Sequence, residues 1–298
     1  MKIMTLLSGA AKEFYFGKQR KLPWLKLKFI NLFGKSVGRL LPATAHDYLK
    51  MQKRAYETAA SAARVRPGAV VGDIVAASDW KLHNEYPDYE SFILKFVPND
   101  ASWIALEYGC GPGRNIENWT KRFKRIDGVD ISSRNLENAR IFLSSILAPE
   151  KQPKLFLTSG QGVGDAPRDA YDFAFSVICL QHICVHSVRF SILKDLFATL
   201  KPGGRLAFQM AFSAGELANT VPYGTDFVSA GVTNGMCDVR VESATQIEAD
   251  LKAIGFTNLE TMVRSVPQEM SGVFKQWIFV NAQKPAGTGL VSKVNSNR

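Results

Sequence analysis

The sequence predicts an open α/β sheet, and two observations carry that expectation. The first is the stretch Trp103–Trp119, WIALEYGCGPGRNIENW. Trp103–Tyr108 is a short apolar run suited to a buried parallel strand, with Glu107 near its end. Gly109-Cys110-Gly111-Pro112-Gly113 follows, and its three glycines in five residues permit a tight turn and close approach of backbone to a ligand. Arg114–Phe123 then reads as a helix, with Ile116, Trp119, Thr120 and Phe123 on one face. Strand, glycine turn and helix make the nucleotide-binding geometry of such a sheet, with the ligand outside the carboxyl end of the strand. The second observation is Arg125–Asp130, RIDGVD, a second strand whose last residue lies 21 positions after Gly109. That spacing suits a carboxylate accepting hydrogen bonds from a ribose diol. The competing role for Asp130 is N-cap-like, opening the helix at Ser132 or Ser133. The turn is G-x-G-x-G rather than the dinucleotide G-x-G-x-x-G, and alone it often only joins a strand to a helix. Asp130 downstream of it favours the ribose.

Four ordered stretches, LEYGCGPGR, GVDIS, YDFAFSVICLQHI and LKPGGRL, resemble the motifs of class I S-adenosylmethionine-dependent methyltransferases. The resemblance spans roughly residues 79–284. It implies a doubly wound, mostly parallel seven-stranded sheet with a late antiparallel hairpin, and S-adenosylmethionine as donor, leaving S-adenosylhomocysteine. It also implies where the donor lies: along Glu107, Tyr108, Gly109, Cys110, Gly111 and Arg114, then Asp130 and Ile131, then Gly160 and Gln161, then Ser176 and Val177. Residues 1–78 then form a basic helical extension, 79–284 the methyltransferase domain and 285–298 a disordered tail rich in Gly, Ser and Asn.

Composition excludes several classes. A chain of 298 residues can bury one large core, or one core with an extension. No apolar run approaches the length of a membrane-spanning helix, and Ile3–Leu7 is too short for a signal-peptide core. The four cysteines, Cys110, Cys179, Cys184 and Cys237, form no C-x-x-C pair and no secreted framework, so a reducing, cytoplasmic setting is expected. The net charge of +10 sits entirely in residues 1–54, which hold twelve basic side chains against Glu13 and Asp47. The remainder is neutral, so nucleic acid is not an expected partner of the catalytic region.

Taken in order, Pro23 can open a helix that Pro42 ends, with Leu25, Phe29, Leu32, Phe33 and Leu40 on one face and lysines around them. Such a helix suits a membrane surface, which makes peripheral contact through residues 1–41 and a lipid-linked acceptor one option. A helix covering the catalytic domain and a disordered basic tail are the others. His46–Arg66 reads as an Ala-rich helix that could cover the donor. Trp80–Val97 resembles the helix before the first strand, with Tyr86 or Tyr89 at the donor's carboxylate end or, more simply, packed on the sheet. Ser133–Leu147 is the next helix and Leu155–Thr158 the third strand. At the third strand's exit the family often places an acid on the adenine; here Ser159 stands there, with Asp165 further on.

Tyr171–Cys179 is the fourth strand, and its exit faces the methyl group in this family. Ser176-Val177-Ile178-Cys179 lacks the N-P-P-Y or D-P-P-Y run of base-modifying enzymes and the acidic ligand of metal-dependent catechol-type enzymes. No paired-glutamate loop of the protein-arginine class is found. His182 next door is a candidate general base, because histidine is the side-chain type that exchanges a proton near neutral pH. It could instead bind metal with Cys184 and His186, position a reactant, or simply bond backbone at a helix entry; no metal is expected. Val188–Leu200 is a helix, Lys201-Pro202-Gly203-Gly204 a turn and Arg205–Phe212 the fifth strand. Residues 213–241, holding Tyr223, Asp226, Phe227, Asn234 and Asp238, form an insertion over the acceptor, with Tyr223 and Asn234 as its expected contacts. Ser243 caps a helix over Ala244–Ile254 that Gly255 stops, with Glu248 too distant for a capping box. Phe256–Val263 and Gln276–Ala282 are the last strands.

Methyl transfer from a sulfonium needs alignment more than activation, so the absence of a nucleophile triad fits it. The expected function is metal-independent methyl transfer to a small or lipid-linked acceptor, at oxygen. The alternative is a non-catalytic membrane-surface or partner-binding protein that keeps the fold.

Overall fold

In the computed structural model the apolar runs become a seven-stranded sheet whose central strands are buried on both faces. The structure describes residues 44–61, 89–217, 220–226, 238–266 and 274–287. Helix α1 spans Ala45–Ser61, and a single π-helical turn covers Tyr89–Ile93. Then come β1 (Ile104–Tyr108), α2 (Arg114–Trp119), β2 (Arg125–Asp130), α3 (Ser133–Ile146), β3 (Leu155–Leu157) and β4 (Tyr171–Ser176). These are followed by α4 (His186–Thr199), β5 (Leu200–Phe212), β6 (Thr220–Pro222), β7 (Asp238–Arg240), α5 (Ala244–Ile254), β8 (Thr257–Ser265) and β9 (Gln276–Gln283).

The strand order is β3-β2-β1-β4-β5-β9-β8. Strands β1 to β5 pair in parallel, and β9 pairs antiparallel with both β5 and β8. The order reverses between β1 and β4, and the carboxyl ends of those two strands therefore flank the crevice where such sheets bind ligands. Alternate residues of each strand serve opposite cores. Leu106, Ala174, Leu206 and Phe208 join α4 and α5 through Ile192, Leu196, Ile247 and Leu251. Ala105, Phe173, Phe175 and Ala207 join Ile116, Trp119, Phe142 and Phe279 on the other face. Phe173 stacks on both Phe123 and Phe175, with ring centroids 5.8 and 5.7 Å apart.

Several boundaries differ from the sequence reading, each for a local reason. The expected turn at Lys201–Gly204 lies inside β5 instead: Tyr171 pairs with Leu200, the next pair is Phe173 with Arg205, and the extra residues form an irregularity in the strand. Strand β4 ends at Ser176 rather than Cys179 because Ile178 turns to φ +50°. Helix α5 does carry a capping box, closed by Gln246, whose side chain accepts from the Ser243 backbone at 3.2 Å. The helix expected over 80–97 is only a π-helical turn within its described part, where Tyr89 stacks on Trp277 at 5.9 Å. That packs Tyr89 into the core. The helix expected between Pro23 and Pro42, Tyr86, and the tail beyond 287 lie outside the described residues. No helix among the described residues is long and apolar enough to cross a membrane.

Candidate functional site

The donor side of the crevice is built by the β1–α2 turn. Gly109 has φ +76°, and a Cβ on it would stand 2.2 Å from the Cys179 Sγ, so only glycine lets this turn pass beneath the exit of β4. Gly111 has open space around it. Asp130 ties the turn to the next strand. Its Oδ2 accepts from the Gly111 N–H at 2.9 Å, and its Oδ1 accepts from the Ser132 N–H at 2.8 Å and from Asn135 Nδ2 at 3.3 Å. The N-cap of α3 is Ser132, whose hydroxyl accepts from the Asn135 N–H, so Asp130 is not the cap. Burial pushes the Asp130 carboxyl up, and those hydrogen bonds offset part of the rise. Its remaining lone pairs can accept from a diol.

Glu107 is the clearest unmet demand in the crevice. It is 1% exposed; Asn115 Nδ2 donates to its Oε1 at 2.6 Å, and its buried Oε2 has no partner among the described residues. Burial pushes its carboxyl up to about 8 against the opposing effects of Asn115 and the nearby Arg114 guanidinium. A buried oxygen without a donor costs about 1–3 kcal/mol, which a bound ammonium or hydroxyl would recover. The expected donor residues Glu107, Gly109, Gly111, Asp130 and Ile131 thus gather at one crevice. Ser176 and Val177 are buried at the exit of β4, with the Ser176 hydroxyl donating to the Tyr108 carbonyl at 3.0 Å. Tyr108, Cys110 and Arg114 are buried, as Glu107, Asp130, Ser176 and Val177 are. Burial raises the Cys110 and Cys179 thiols well above their ordinary range, so neither acts as a thiolate.

At the exit of β3, Gly160 is buried with φ +96°, and a Cβ there would meet Leu49 of α1 and Ile131 within 3 Å. Gln161 is exposed, and its carbonyl accepts from the Ser191 hydroxyl at 2.7 Å. Asp165 is also exposed, away from this contact. Helix α1 therefore closes over the Ile131–Gly160 edge. Glu57 fixes it there: its carboxylate accepts from the Ser133 N–H at 2.7 Å, the Arg134 N–H at 3.1 Å and the hydroxyls of Ser132 and Ser133. These are the unsatisfied donors at the start of α3, supplied with an acceptor from another helix.

The other side of the crevice centres on His182. Leu180–His182 is a short 3₁₀ turn beyond β4, and His182 Nδ1 lies 2.6 Å from Asp238 Oδ1 at the start of β7. A carboxylate there selects the Nδ1–H tautomer and leaves Nε2 as an acceptor. Among the described residues Nε2 has no hydrogen-bond partner. The His182 carbonyl accepts from Tyr48 Oη at 3.1 Å and Gln52 Nε2 at 3.0 Å, both from α1. Ile178 just upstream holds a left-handed backbone that costs a β-branched residue about 1–3 kcal/mol.

His186 does not join His182. Its Nε2 meets Asp250 at 2.8 Å, and the two imidazoles answer different carboxylates, which removes the geometry expected of a shared metal. Cys110 and Cys179 are free thiols. Tyr223 is 2% exposed and its hydroxyl donates to Asp250 at 2.7 Å, so it braces α4 against α5 instead of lining an acceptor site. Arg189, buried beside it, donates to the carbonyls of Ile183 and Tyr223. Asn234 lies outside the described residues. Sequence reasoning placed Asp238 in the insertion without a role and gave none to Tyr48, Gln52, Glu57 or Gln209. No local signal marks those residues, because each partner is distant in the chain.

Comparison with known proteins agrees with this arrangement. Residues 82–261 match the family described as a methyltransferase domain. The chain belongs to that family. Its sheet is the class I S-adenosylmethionine-dependent methyltransferase sheet that the four motifs imply. Among curated relatives, trans-aconitate 2-methyltransferases of Paracidovorax citrulli and Methylobacterium radiotolerans are 33% and 32% identical over 122 and 147 residues. Those stretches cover 40% and 47% of this chain and 42% and 52% of theirs, so the chain spans about half the length of these relatives. The Delftia acidovorans trans-aconitate 2-methyltransferase is 26% identical over 70% of this chain and 80% of its own. Of solved structures, an S-adenosylmethionine-dependent methyltransferase of Leishmania major superposes with a TM-score of 0.57 at 16% identity, covering 80% of this chain and 83% of that one. The phosphoethanolamine N-methyltransferase 2 of Haemonchus contortus, solved with phosphomonomethylethanolamine and S-adenosylhomocysteine, gives 0.51 at 18%, covering 67% and 53%. At those identities the likeness is one of fold.

Proposed function

We propose that this protein transfers the methyl group of S-adenosylmethionine to an oxygen of a small molecule, with His182 as general base. The observation that carries the reading is the His182–Asp238 pair at the mouth of the β1/β4 crevice. Bound there, the donor supplies a methyl group already activated on a sulfonium. The unpartnered Glu107 oxygen suits its ammonium, and Asp130, pinned between Gly111 and Ser132, suits its ribose diol. Ile131, Gly160 and Leu49 form an apolar edge for the adenine. His182 Nε2 takes the proton of the acceptor hydroxyl as the oxygen bonds to the methyl carbon; the carbon–sulfur pair leaves with sulfur. Asp238 holds the ring tautomer and stabilises the imidazolium that forms.

A carboxylate oxygen is the second reading, favoured by the trans-aconitate 2-methyltransferases among the relatives. A carboxylate is already ionised and needs no base, so His182 would then meet it only as the imidazolium, whose Nε2–H donates a hydrogen bond. The basic segment 1–41 motivates a lipid-linked acceptor as a third source of the same oxygen chemistry.

The test is transfer of labelled methyl to catechol, to trans-aconitate and to an extracted lipid fraction, by the wild-type protein and by His182→Asn. Catechol labelling that collapses in His182→Asn supports the base. Trans-aconitate labelling that survives it replaces the hydroxyl reading with the carboxylate one. Label in the lipid fraction alone moves the acceptor to the lipid-linked class. Donor binding without label in any of the three would favour a binding protein on this fold.

A further inference from the structure

Strand β4 leaves the sheet through a backbone shape that Ile178 does not adopt on its own. Its φ of +50° is uncommon for any residue with a side chain and rarer for a β-branched one. His182 follows four positions later, after a 3₁₀ turn closed by the His182 N–H donating to the Cys179 carbonyl at 2.9 Å. A rotation at Ile178 therefore carries the whole turn with it.

Gln209 of β5 spans this turn from below. Phe208 pairs with Ser176, the last residue of β4, and Gln209 is the next residue up, fully buried. Its Oε1 accepts from the Ile178 N–H at 3.0 Å, and its Nε2 donates to Gln181 Oε1 at 3.1 Å. The amide orientations follow from chemistry. A backbone N–H can only donate, so the atom facing Ile178 is the oxygen, and the nitrogen left over must meet the oxygen of Gln181. One buried side chain thus grips both the strained entry of the turn and the residue beside His182. Tyr48 and Gln52 hold the His182 carbonyl from above, but neither touches the approach from β4.

The geometry points to Gln209 as a positioning residue for His182, acting through Ile178 and Gln181. The inference rests on the reading of His182 as the base. Without Gln209, Ile178 relaxes to a negative φ, the turn rotates and the His182 ring leaves Asp238. A buried amide could also serve stability alone, and the two roles separate experimentally.

The full chain is labelled with nitrogen-15 histidine and saturated with S-adenosylhomocysteine. Proton NMR then reads the Nδ1 proton that Asp238 shields, assigned by its absence from His182→Asn. Gln209→Met keeps the size and removes both bonds; the expected result is loss of this signal, with the Kd for S-adenosylhomocysteine within twofold of wild type. Gln209→Glu, neutral in its buried place, offers a carbonyl to Ile178 and an O–H to Gln181. Its signal is expected to persist at low pH and fade as the pH rises and the carboxyl ionises. Gln181→Leu breaks only the second bond and decides the matter if Gln209→Met does not fold; exchange of the Nδ1 proton should quicken tenfold or more. An unchanged signal in Gln181→Leu, or in Gln209→Met, overturns the inference. So does a matching loss of S-adenosylhomocysteine affinity, and so does absence of the signal from the wild type. The base reading fails separately: full methyl transfer by His182→Asn removes it while the NMR comparison still decides what Gln209 holds.

Discussion

The two sides of the crevice are assembled in different ways. The donor side is nearly contiguous. Glu107, the glycine turn and Asp130 lie within 24 residues, joined by backbone N–H groups and by parallel pairing of β1 with β2. The side that carries His182 is joined by side chains from afar. His182 meets Asp238 56 positions away, Tyr48 reaches Cys184 across 136, and Gln209 reaches Ile178 across 31. A site made of backbone and near neighbours is set by local sequence. A site made of distant side chains can change partners as loops change, while the sheet beneath it stays the same.

Four measurements would break or sharpen that contrast. The largest effect is expected at the His182 side: His182→Asn should lower methyl transfer to a hydroxyl acceptor by about 10²–10⁴-fold with donor affinity unchanged, read by label transfer and calorimetry. Weakened donor binding in that variant would mean the two sides are not separable. Asp130→Ala should do the reverse. Loss of its charge-assisted bonds should weaken S-adenosylhomocysteine about 10- to 100-fold, since each is worth about 1.5–3 kcal/mol; unchanged affinity would remove the ribose assignment.

Glu107 gives the third test. Its folded carboxyl is raised to about 8 from an ordinary 4.5, so between those values the folded protein holds a proton that the unfolded chain has lost. The associated stability is complete below the lower value and is lost as pH rises towards the upper one. The urea midpoint should therefore fall between pH about 5 and 8, and Glu107→Gln should flatten that slope. A donor ammonium beside Glu107 favours its ionised form, so binding near neutral pH should release close to one proton. Calorimetry in two buffers of different ionisation enthalpy reads this, and release that persists in Glu107→Gln assigns the proton elsewhere.

The smallest effect is expected at Glu57. Burial raises its carboxyl, but the hydrogen bonds from Ser133, Arg134 and Ser132 outweigh this and leave it lowered. That contribution is present above the ordinary carboxylate range and lost as pH falls through the folded value. Glu57→Ala should cost about 0.5–2 kcal/mol, as a lost cap does. Hydrogen exchange should locate the loss in α1 and the first turn of α3. Uniform loss across the sheet would show that α1 is part of the global fold rather than a separately docked cover.

Much of the frame was legible from residues alone. Arg125–Asp130 is a strand with the expected ends, and α3 begins at Ser133 as read. Period and glycine placement mark such elements because they are local properties of the chain. The fourth strand was read three residues too long because Val177, Ile178 and Cys179 continue its apolar run. The backbone turns away at Ile178, whose N–H donates to Gln209 of β5 rather than continuing the strand. Tyr223 looked like an acceptor contact because it lies in an insertion over the sheet. Asp250, from α5, accepts from its hydroxyl, and the side chain is buried.

By itself, the sequence determined the glycine turn, the acid at the end of β2, the parallel sheet and the histidine beyond β4. These follow from backbone sterics, apolar periodicity and side-chain chemistry, all carried by neighbouring residues. Tertiary structure alone decided that Asp238 orients His182, that Glu57 seats α1 on α3, and that Tyr223 is a brace. A hydrogen bond between residues dozens of positions apart leaves no trace in either one's surroundings along the chain. It exists only once the sheet has brought their elements to the same edge.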